Sequence, residues 1–263
     1  MDLGLSGRVA LVTAASKGLG RAVALALAQE GADVAICSRD EGQIREAAEE
    51  IREATGVRVL ARVADVSRKE DIDALIAAVQ GEYGRIDILV SNSGGPPPGR
   101  FLELDDEAWR KAVDLLLMSA VRLARGVLPG MQERGWGRIL FITSGSVKQP
   151  IQNLILSNSI RAAVTGMAKT LAGEVGRHGI TVNCLAPGRI DTERVRSLDE
   201  NTAARTGRTP AEVRAALEAA IPLGRYGHVN EFGRVAAFLC SEAASYITGS
   251  TVVVDGGHIN TLL

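Results

Sequence analysis

The stretch TAASKGLGRAVALALAQEGA, residues 13–32, decides how this chain folds. It follows the aliphatic run RVALVT (8–13), which is typical of a buried strand, and its glycines Gly18 and Gly20 open a helical pattern. A second aliphatic run, DVAICS (33–38), comes directly afterwards. This order of strand, glycine turn, helix and strand places helix amides where a phosphate can bind. It therefore predicts a dinucleotide site.

Strand-like and helical stretches alternate along the rest of the chain. We expect seven buried strands, over residues 8–13, 33–38, 57–63, 86–91, 138–143, 180–186 and 250–255. We expect helices over residues 18–30, 41–54, 68–83, 107–134, 157–177 and 230–240. The alternation predicts an α/β protein with a single-domain Rossmann fold over residues 1–263. Its sheet should be a doubly wound, seven-stranded parallel sheet with helices on both faces.

One segment interrupts this alternation. Residues 191–222 form a long, polar and irregular stretch between two core elements, and acidic residues balance its arginines. A loop of this length in a compact domain is usually a lid or a binding loop. We therefore predict a substrate lid at about residues 191–222 and no basic docking site there.

Composition narrows the class of protein. The net charge of −1, with both signs mixed along 263 residues, argues against nucleic acid or an anionic membrane as partner. Cys37, Cys184 and Cys240 lie far apart in apolar runs, which favours buried reduced thiols over disulfides or metal ligands. No signal peptide or membrane-length run is evident. We expect a cytoplasmic protein with a small-molecule substrate and no metal.

Charged residues at the end of the second strand indicate which dinucleotide binds. Arg39 stands where a carboxylate would otherwise accept the adenosine ribose hydroxyls, and Lys17 lies within the glycine turn. A guanidinium matches a phosphate with two hydrogen bonds, so the two cations suit a 2′-phosphate. We favour NADP(H) over NAD(H). Two idle surface charges are the alternative, and Asp40, directly after Arg39, weakens the interpretation slightly.

Four motifs resemble the short-chain dehydrogenase/reductase family, over about residues 5–257. VTAASKGLG (12–20) is similar to the family's TGxxxGxG turn, with Ala14 at the first glycine. SNSGG (91–95) resembles NNAG, and APGRIDT (186–192) resembles PG-x-I-x-T. Residues 221–257 resemble the family's carboxyl-terminal stretch. The general pattern is nearest the 3-oxoacyl-ACP reductase type.

The resemblance implies a cofactor site. It places Asp65 at the adenine and Asn92 and Gly94 at the adenosine ribose. Pro187, Ile190 and Thr192 should line the nicotinamide. The complete expected set is Ser16, Lys17, Gly18, Leu19, Gly20, Arg39, Asp65, Val66, Asn92, Gly94, Arg161, Pro187, Gly188, Ile190 and Thr192.

The catalytic positions depart from the family pattern. In the family a tyrosine protonates the substrate oxygen, a lysine one helical turn later supports it, and a serine and an asparagine complete the group. The serine resembles Ser144, but the tyrosine position is Ser157 and the lysine position is Arg161. The asparagine position is Leu116. Serine is a much weaker acid than tyrosine, and arginine stays protonated, so neither replaces the missing acid.

Two other side chains are candidates for the proton donor. Lys148 lies four residues after Ser144, and desolvation there could lower its pKa, although an ordinary solvated lysine is the alternative. Tyr226 is the second candidate, but we expect it to pack under the lid. The catalytic candidates are therefore Ser144, Ser157, Arg161 and Lys148, with water or the substrate itself as a further proton source.

Three functions stay open at this stage. The first is an NADP(H)-dependent oxidoreductase that transfers hydride to or from a carbonyl, hydroxyl or imine-like substrate without the usual tyrosine. The second is a cofactor-binding protein with little turnover, either a sensor or a partner subunit. The third is a non-redox enzyme such as a lyase or dehydratase. The resemblance also implies a homotetramer, assembled through the long helices at 107–134 and 157–177.

Overall fold

The computed structural model describes residues 2–261, which build a seven-stranded sheet in the order β3-β2-β1-β4-β5-β6-β7. Each paired register between neighbouring strands is parallel. The strands are β1 (Val9–Val12), β2 (Asp33–Ser38), β3 (Val59–Val63), β4 (Ile88–Ser91), β5 (Gly137–Ile142), β6 (Ile180–Pro187) and β7 (Thr251–Val254). The predicted fold class and strand number are confirmed; Met1, Leu262 and Leu263 of the predicted domain lie outside the described residues.

Helices cover both faces of this sheet. They are α1 (Gly18–Gln29), α2 (Glu41–Thr55), α3 (Lys69–Tyr83), α4 (Asp106–Val113), α5 (Ser119–Arg134), α6 (Ile155–Val175), α7 (Glu193–Thr206), α8 (Pro210–Ala219) and α9 (Val229–Leu239). Helices α1, α2 and α9 pack on one face, and α3, α5 and α6 pack on the other.

The first strand shows why the short aliphatic runs become central strands. Val9 and Leu11 point into the core on the α3, α5 and α6 side, while Ala10 and Val12 point into the core on the opposite side. All four are at most 2 % exposed. A strand buried on both faces needs apolar residues at every position, which explains its continuous rather than alternating pattern.

The connection between β4 and β5 differs from the single helix predicted over residues 107–134. A π-helical turn at Asp114–Met118 separates α4 from α5, and the Ser119 amide bonds to the Asp114 carbonyl five residues back. Such turns accommodate one extra residue and are frequent at functional sites. Here the turn contains Leu116, which is buried. The break therefore lies at the position where the family carries its asparagine.

The segment predicted as an irregular lid is mostly helical, and that part of the prediction is wrong. Thr192 caps α7 by accepting a hydrogen bond from the Val195 amide at 3.3 Å. Thr209 and Glu212 form a reciprocal capping box at the start of α8. Of the described helices, none is long and apolar enough to cross a membrane. The three cysteines are free and buried, as predicted.

Candidate active site

The glycine turn adopts a conformation that leaves room for a close ligand. Gly18 has a φ of +58°, and a Cβ at Gly20 would lie 2.3 Å from the Ala14 carbonyl oxygen. Any larger residue at position 20 would therefore clash with the backbone of the turn. Ala14, where the family pattern has its first glycine, has a φ of +48°, a left-handed conformation that alanine rarely adopts. The first turn of α1 then points its amides out of the end of β1.

Asn92, at the end of β4, holds this turn in place. Its side-chain amide donates to the Ala14 carbonyl at 3.1 Å. The Thr13 hydroxyl donates to the Asn92 carbonyl at 2.6 Å and accepts from the Asn92 amide at 2.9 Å. The two strands are therefore joined through side chains beyond the last sheet hydrogen bond. This bonding makes Asn92 a structural support of the turn, in addition to its predicted place beside the ribose.

The end of β2 keeps a cation available. Arg39 is exposed and has no carboxylate partner within residues 2–261. The neighbouring Asp40 is already used, because its carboxylate caps α2 and accepts from the Gln43 amide at 2.9 Å. Lys17, the other predicted cation, forms an ion pair with Glu193. The competing acceptor at Asp40 is thus committed elsewhere, and the residues fit a cofactor with a 2′-phosphate.

The other predicted cofactor residues gather at the carboxyl ends of the strands, where open α/β sheets bind ligands. Asp65 follows β3 and accepts from the Ser67 amide and hydroxyl at 2.9 and 2.8 Å. Pro187 ends β6, and a Cβ at Gly188 would lie 2.4 Å from the Asp255 Cβ. Thr192 packs on the glycine turn, where its Cγ2 is 3.6 Å from the Cβ position of Gly18. Ser16, Leu19, Val66, Gly94 and Ile190 complete this group.

The structure places Ser144 just after β5 and brings Arg161 to the carboxyl end of that strand, with Ser157 one helical turn before Arg161 on α6. Arg161 donates from Nη1 to the Ile142 carbonyl at 2.9 Å, two residues before Ser144. The Ser144 hydroxyl accepts from the Ser146 amide at 3.1 Å, and Ser157 is 8 % exposed. Burial and the charge of Arg194 lower the pKa of the Arg161 guanidinium to about 10. Arg161 therefore stays charged at neutral pH and donates hydrogen bonds, but it does not serve as the acid that protonates the substrate.

An apolar cluster replaces the polar support of the family's lysine. Leu116, on the π-helical turn, packs with Ala112, Leu156 and Ile160. Leu116 also lines a small cavity together with Arg161 and Ser119. A leucine offers no hydrogen bond to a water there. The side chain of Arg161 instead reaches a backbone carbonyl directly.

Neither of the other two proton-donor candidates joins this group. Lys148 lines a second cavity with Thr165, Lys169 and Cys184, whereas Arg161 lines the first. Tyr226 is buried and donates to Asp199 at 2.9 Å. It therefore packs against α7, within the segment predicted as a lid. Burial, together with the Asp199 carboxylate, raises the pKa of the phenol, so it is a poor acid.

One residue of the site was not found from the sequence. Arg194, on the first turn of α7, donates from Nη2 to the Pro96 carbonyl at 2.8 Å. Its guanidinium packs over Gly95, where a Cβ would lie 2.9 Å from Nη2. Arg194 thus joins α7 to the proline-rich segment at residues 94–99. It was counted only among the balanced charges of the lid, because its partner is a carbonyl distant in sequence.

Known reductases are similar to this chain in both sequence and structure. Residues 13–258 match a family model described as enoyl-(acyl carrier protein) reductase. The chain is 39% identical to the 3-oxoacyl-[acyl-carrier-protein] reductase FabG of Pseudomonas aeruginosa, over 97% of this chain and 98% of that protein. It is 37% identical to an actinorhodin polyketide ketoreductase crystallised with NADPH, with a TM-score of 0.93 over 97% and 98% of the two chains.

A second solved structure is similar over the full length of both chains. It is the L-sorbose reductase from Gluconobacter frateurii complexed with NADPH and L-sorbose, with a TM-score of 0.95 and 38% identity over 100% of each chain. This chain belongs to the short-chain dehydrogenase/reductase family. The predicted family is confirmed, and with it the expectation of an oxidoreductase. The site residues, by contrast, stay predictions that need direct tests.

Proposed function

We propose that this protein is an NADP(H)-dependent oxidoreductase that acts on an activated acceptor, such as a conjugated carbonyl compound or an imine. Arg161 supports this most directly. It keeps a positive charge beside Ser144, at the position of the family's lysine, while Ser157 and Leu116 remove the acid and its support. The site can therefore stabilise negative charge but holds no strong proton donor.

The choice of NADP(H) rests on both the residues and the relatives. Arg39 is free to meet a 2′-phosphate, because Asp40 caps α2. The L-sorbose reductase and the polyketide ketoreductase were both solved with NADPH. Gly18 and Gly20 leave the backbone open to the diphosphate. When NADP(H) is bound, its nicotinamide supplies or accepts the hydride.

The chemistry then follows from what Arg161 and Ser144 can do. In the reductive direction, hydride adds to the electrophilic carbon and the electron pair of the double bond moves to oxygen or nitrogen. Arg161 stabilises the developing charge, and the Ser144 hydroxyl orients the acceptor. Water supplies the proton afterwards. Conjugated and iminium acceptors suit this site, because their reduction depends less on an acid at the moment of hydride transfer.

NADPH absorbance measured against matched acceptors tests the proposal. We expect oxidation with a conjugated enone or an imine, and much slower oxidation with the corresponding simple ketone. The combined variant Leu116→Asn, Ser157→Tyr and Arg161→Lys should gain ketone reduction, since a placed general acid contributes roughly 10²–10⁴-fold. Equal rates on simple and activated acceptors in the unaltered protein would contradict the proposal.

The alternative is an NADP(H)-binding protein with little turnover, a sensor or a partner subunit. The buried Ser157 and the apolar setting of Leu116 favour it, because both remove catalytic groups. Tight NADPH binding without oxidation by any acceptor would support this alternative. Lys148→Ala tests this lysine as the proton donor. Oxidation of NADPH that persists in the variant would show that Lys148 is not required.

The assembly and the place of action are also part of the proposal. We infer a homotetramer formed through α5 and α6 in the cytoplasm. The tetramer follows from the family resemblance, and the balanced charge of −1 suits a protein of the aqueous phase. Light scattering coupled to size-exclusion chromatography measures the number of subunits directly. A monomer at micromolar concentration would contradict the tetramer.

A further inference from the structure

Two arginines meet at the site without a carboxylate to balance them. Arg161, on α6, lines a small cavity with Ser91 and Ser93 at the end of β4. Arg194, on α7, contacts Gly95 and Pro96 of the same segment, so the two guanidiniums approach that segment from two sides. The charge of Arg194 also lowers the pKa of Arg161. Each donates one hydrogen bond to a backbone carbonyl, of Ile142 and Pro96 respectively. Neither has a carboxylate within ion-pair distance in the part of the chain that the structure describes.

Three other arginines in and beside the lid pair with carboxylates, whereas the exposed Arg205 and Arg208 form no ion pair within residues 2–261. Arg189 pairs with Asp199 at 2.6 Å, and Arg196 pairs with Asp191 at 2.7 Å. Arg214 contacts Asp191 at 3.2 Å and Glu218 at 2.9 Å. Acidic residues are therefore abundant around Arg194, yet none faces it. The arrangement leaves a positive group directed at the cleft between the lid and residues 94–99.

Arg161 is partly buried, whereas Arg194 is exposed. An unpaired guanidinium that is partly removed from water is unfavourable, so Arg161 with the charge of Arg194 nearby suits an anionic ligand. Each guanidinium has five donors, and only one of each is used here. A carboxylate accepts two parallel hydrogen bonds from each such group. Ser157, one helical turn before Arg161, is also smaller than the tyrosine of the family pattern.

The cofactor is the competing source of negative charge. Its phosphates, however, have their own sites: the amides at Gly18 and Leu19, and the free cation Arg39. Arg161 lies elsewhere, beside Ser144 at the end of β5. Arg161 is also among the residues expected to contact the cofactor, but hydroxyl groups of a ribose would not neutralise its charge, which stays available to a substrate anion.

We propose that Arg161 and Arg194 bind a carboxylate of the substrate, so that the acceptor is a small organic acid rather than a neutral carbonyl compound. This inference rests on the proposed function, because it names the substrate class of the same site. A 2-oxo acid, its imine or an unsaturated acid would meet both requirements. The carboxylate would also orient the double bond toward the hydride.

Calorimetry with oxalate as probe tests the inference without turnover. The protein saturated with NADP⁺ should bind oxalate, and Arg194→Gln should weaken that binding about tenfold or more, since hydrogen bonds to charged groups contribute roughly 1.5–3 kcal/mol. Arg194→Lys should recover part of the loss. The matched control is Arg196→Gln, two residues along the same helix, whose guanidinium pairs with Asp191. It should leave oxalate binding unchanged.

The outcomes separate this inference from the proposed function. NADP⁺ binding without oxalate binding would overturn the inference and leave the oxidoreductase intact. A weaker affinity for NADP⁺ with unchanged oxalate binding in Arg194→Gln would assign Arg194 to the cofactor and also overturn it. The protein could also bind oxalate in a way that depends on Arg194 and yet fail to oxidise NADPH with any acceptor tested. That result would support the anion site and contradict the proposed function.

Discussion

Lys17 on the glycine turn forms an ion pair with Glu193, the first residue of lid helix α7. The pair crosses the cleft in which the dinucleotide is expected. Both side chains are more than half exposed, so the pair adds little stability by itself. Its effect is on access, because Lys17 cannot hold both Glu193 and a cofactor phosphate with the same ammonium group.

Glu193→Gln should therefore strengthen NADPH binding. We expect the dissociation constant to fall roughly threefold, the size of effect expected from an exposed ion pair. Fluorescence titration of NADPH measures it. Glu200→Gln, an exposed change further along α7, is the control and should leave the affinity unchanged. An unchanged or weaker affinity in Glu193→Gln would show that Lys17 is not held back by this pair.

Arg39 should decide between NADP(H) and NAD(H). We expect Arg39→Leu to weaken NADP⁺ binding by about tenfold or more, because a charge-assisted contact to the 2′-phosphate is lost, with little change for NAD⁺. Calorimetry with both nucleotides gives the ratio. Arg45→Leu, six residues further along the chain in α2, is the control: its guanidinium pairs with Glu41, and the change should affect neither affinity. Equal losses for both nucleotides would remove Arg39 from phosphate recognition.

Ala14→Gly should stabilise the fold. An alanine at a φ of +48° is strained by roughly 1–2 kcal/mol, and the greater freedom of glycine in the unfolded chain offsets part of the gain. We expect the free energy of unfolding to rise by about 1 kcal/mol or less, measured by urea denaturation. Ala77→Gly, at an exposed position in α3, should lower it by about 1 kcal/mol. A loss of stability in Ala14→Gly would contradict the strain.

Much of this architecture could be predicted from the sequence, because local signals and burial agree there. The strand runs are apolar at every position, and Gly18 and Gly20 mark the turn. The π-helical turn at Asp114–Met118 could not be predicted, since it depends on how Leu116 packs against α6. The helices of the lid did carry a signal, TPAE at residues 209–212, which is a capping box followed by a helix. We interpreted residues 191–222 as irregular because they are polar and lack an apolar helical periodicity.

Site residues were harder to predict where a role depends on partners distant in the chain. Asp40 could be weighed against Arg39 only once its carboxylate was seen to cap α2. Arg194 gains its place from a carbonyl 98 residues away. Lys148 was chosen for its distance from Ser144 along the chain, but the path of the loop takes it to another cavity. The number of residues between two positions in a loop does not determine which cavity their side chains line.

Tyr226→Phe should affect the lid and not the proton transfer. The change leaves Asp199 paired with Arg189 but removes the 2.9 Å hydrogen bond from the phenol. We expect a loss of about 1 kcal/mol in the free energy of unfolding. KM should rise through the looser lid, while kcat and its pH profile should not change. A fall of kcat by two orders of magnitude or more would restore Tyr226 as a proton donor, since that is roughly what a general acid contributes.

Arg161→Met should raise stability while it damages the site. Burial lowers the pKa of this guanidinium to about 10, which means that the fold disfavours its charge. The unfolded chain therefore holds the proton more tightly, and at pH 7 the charged form weakens folding. We expect the variant to unfold at a higher urea concentration and to bind oxalate at least about tenfold more weakly. Lower stability would show that the bond to Ile142 outweighs the burial of charge.

The leucine on the π-helical turn makes the present chemistry hard to undo one step at a time. An asparagine introduced alone at position 116 would face Leu156 and Ile160, and a tyrosine introduced alone at position 157 would stand beside a guanidinium that cannot relay protons. Each single change would therefore disturb the packing or leave the proton relay incomplete, and neither would restore catalysis by itself. A protein with this arrangement could return to the family's catalytic group only through several simultaneous substitutions, so its evolution would favour further change around the altered site.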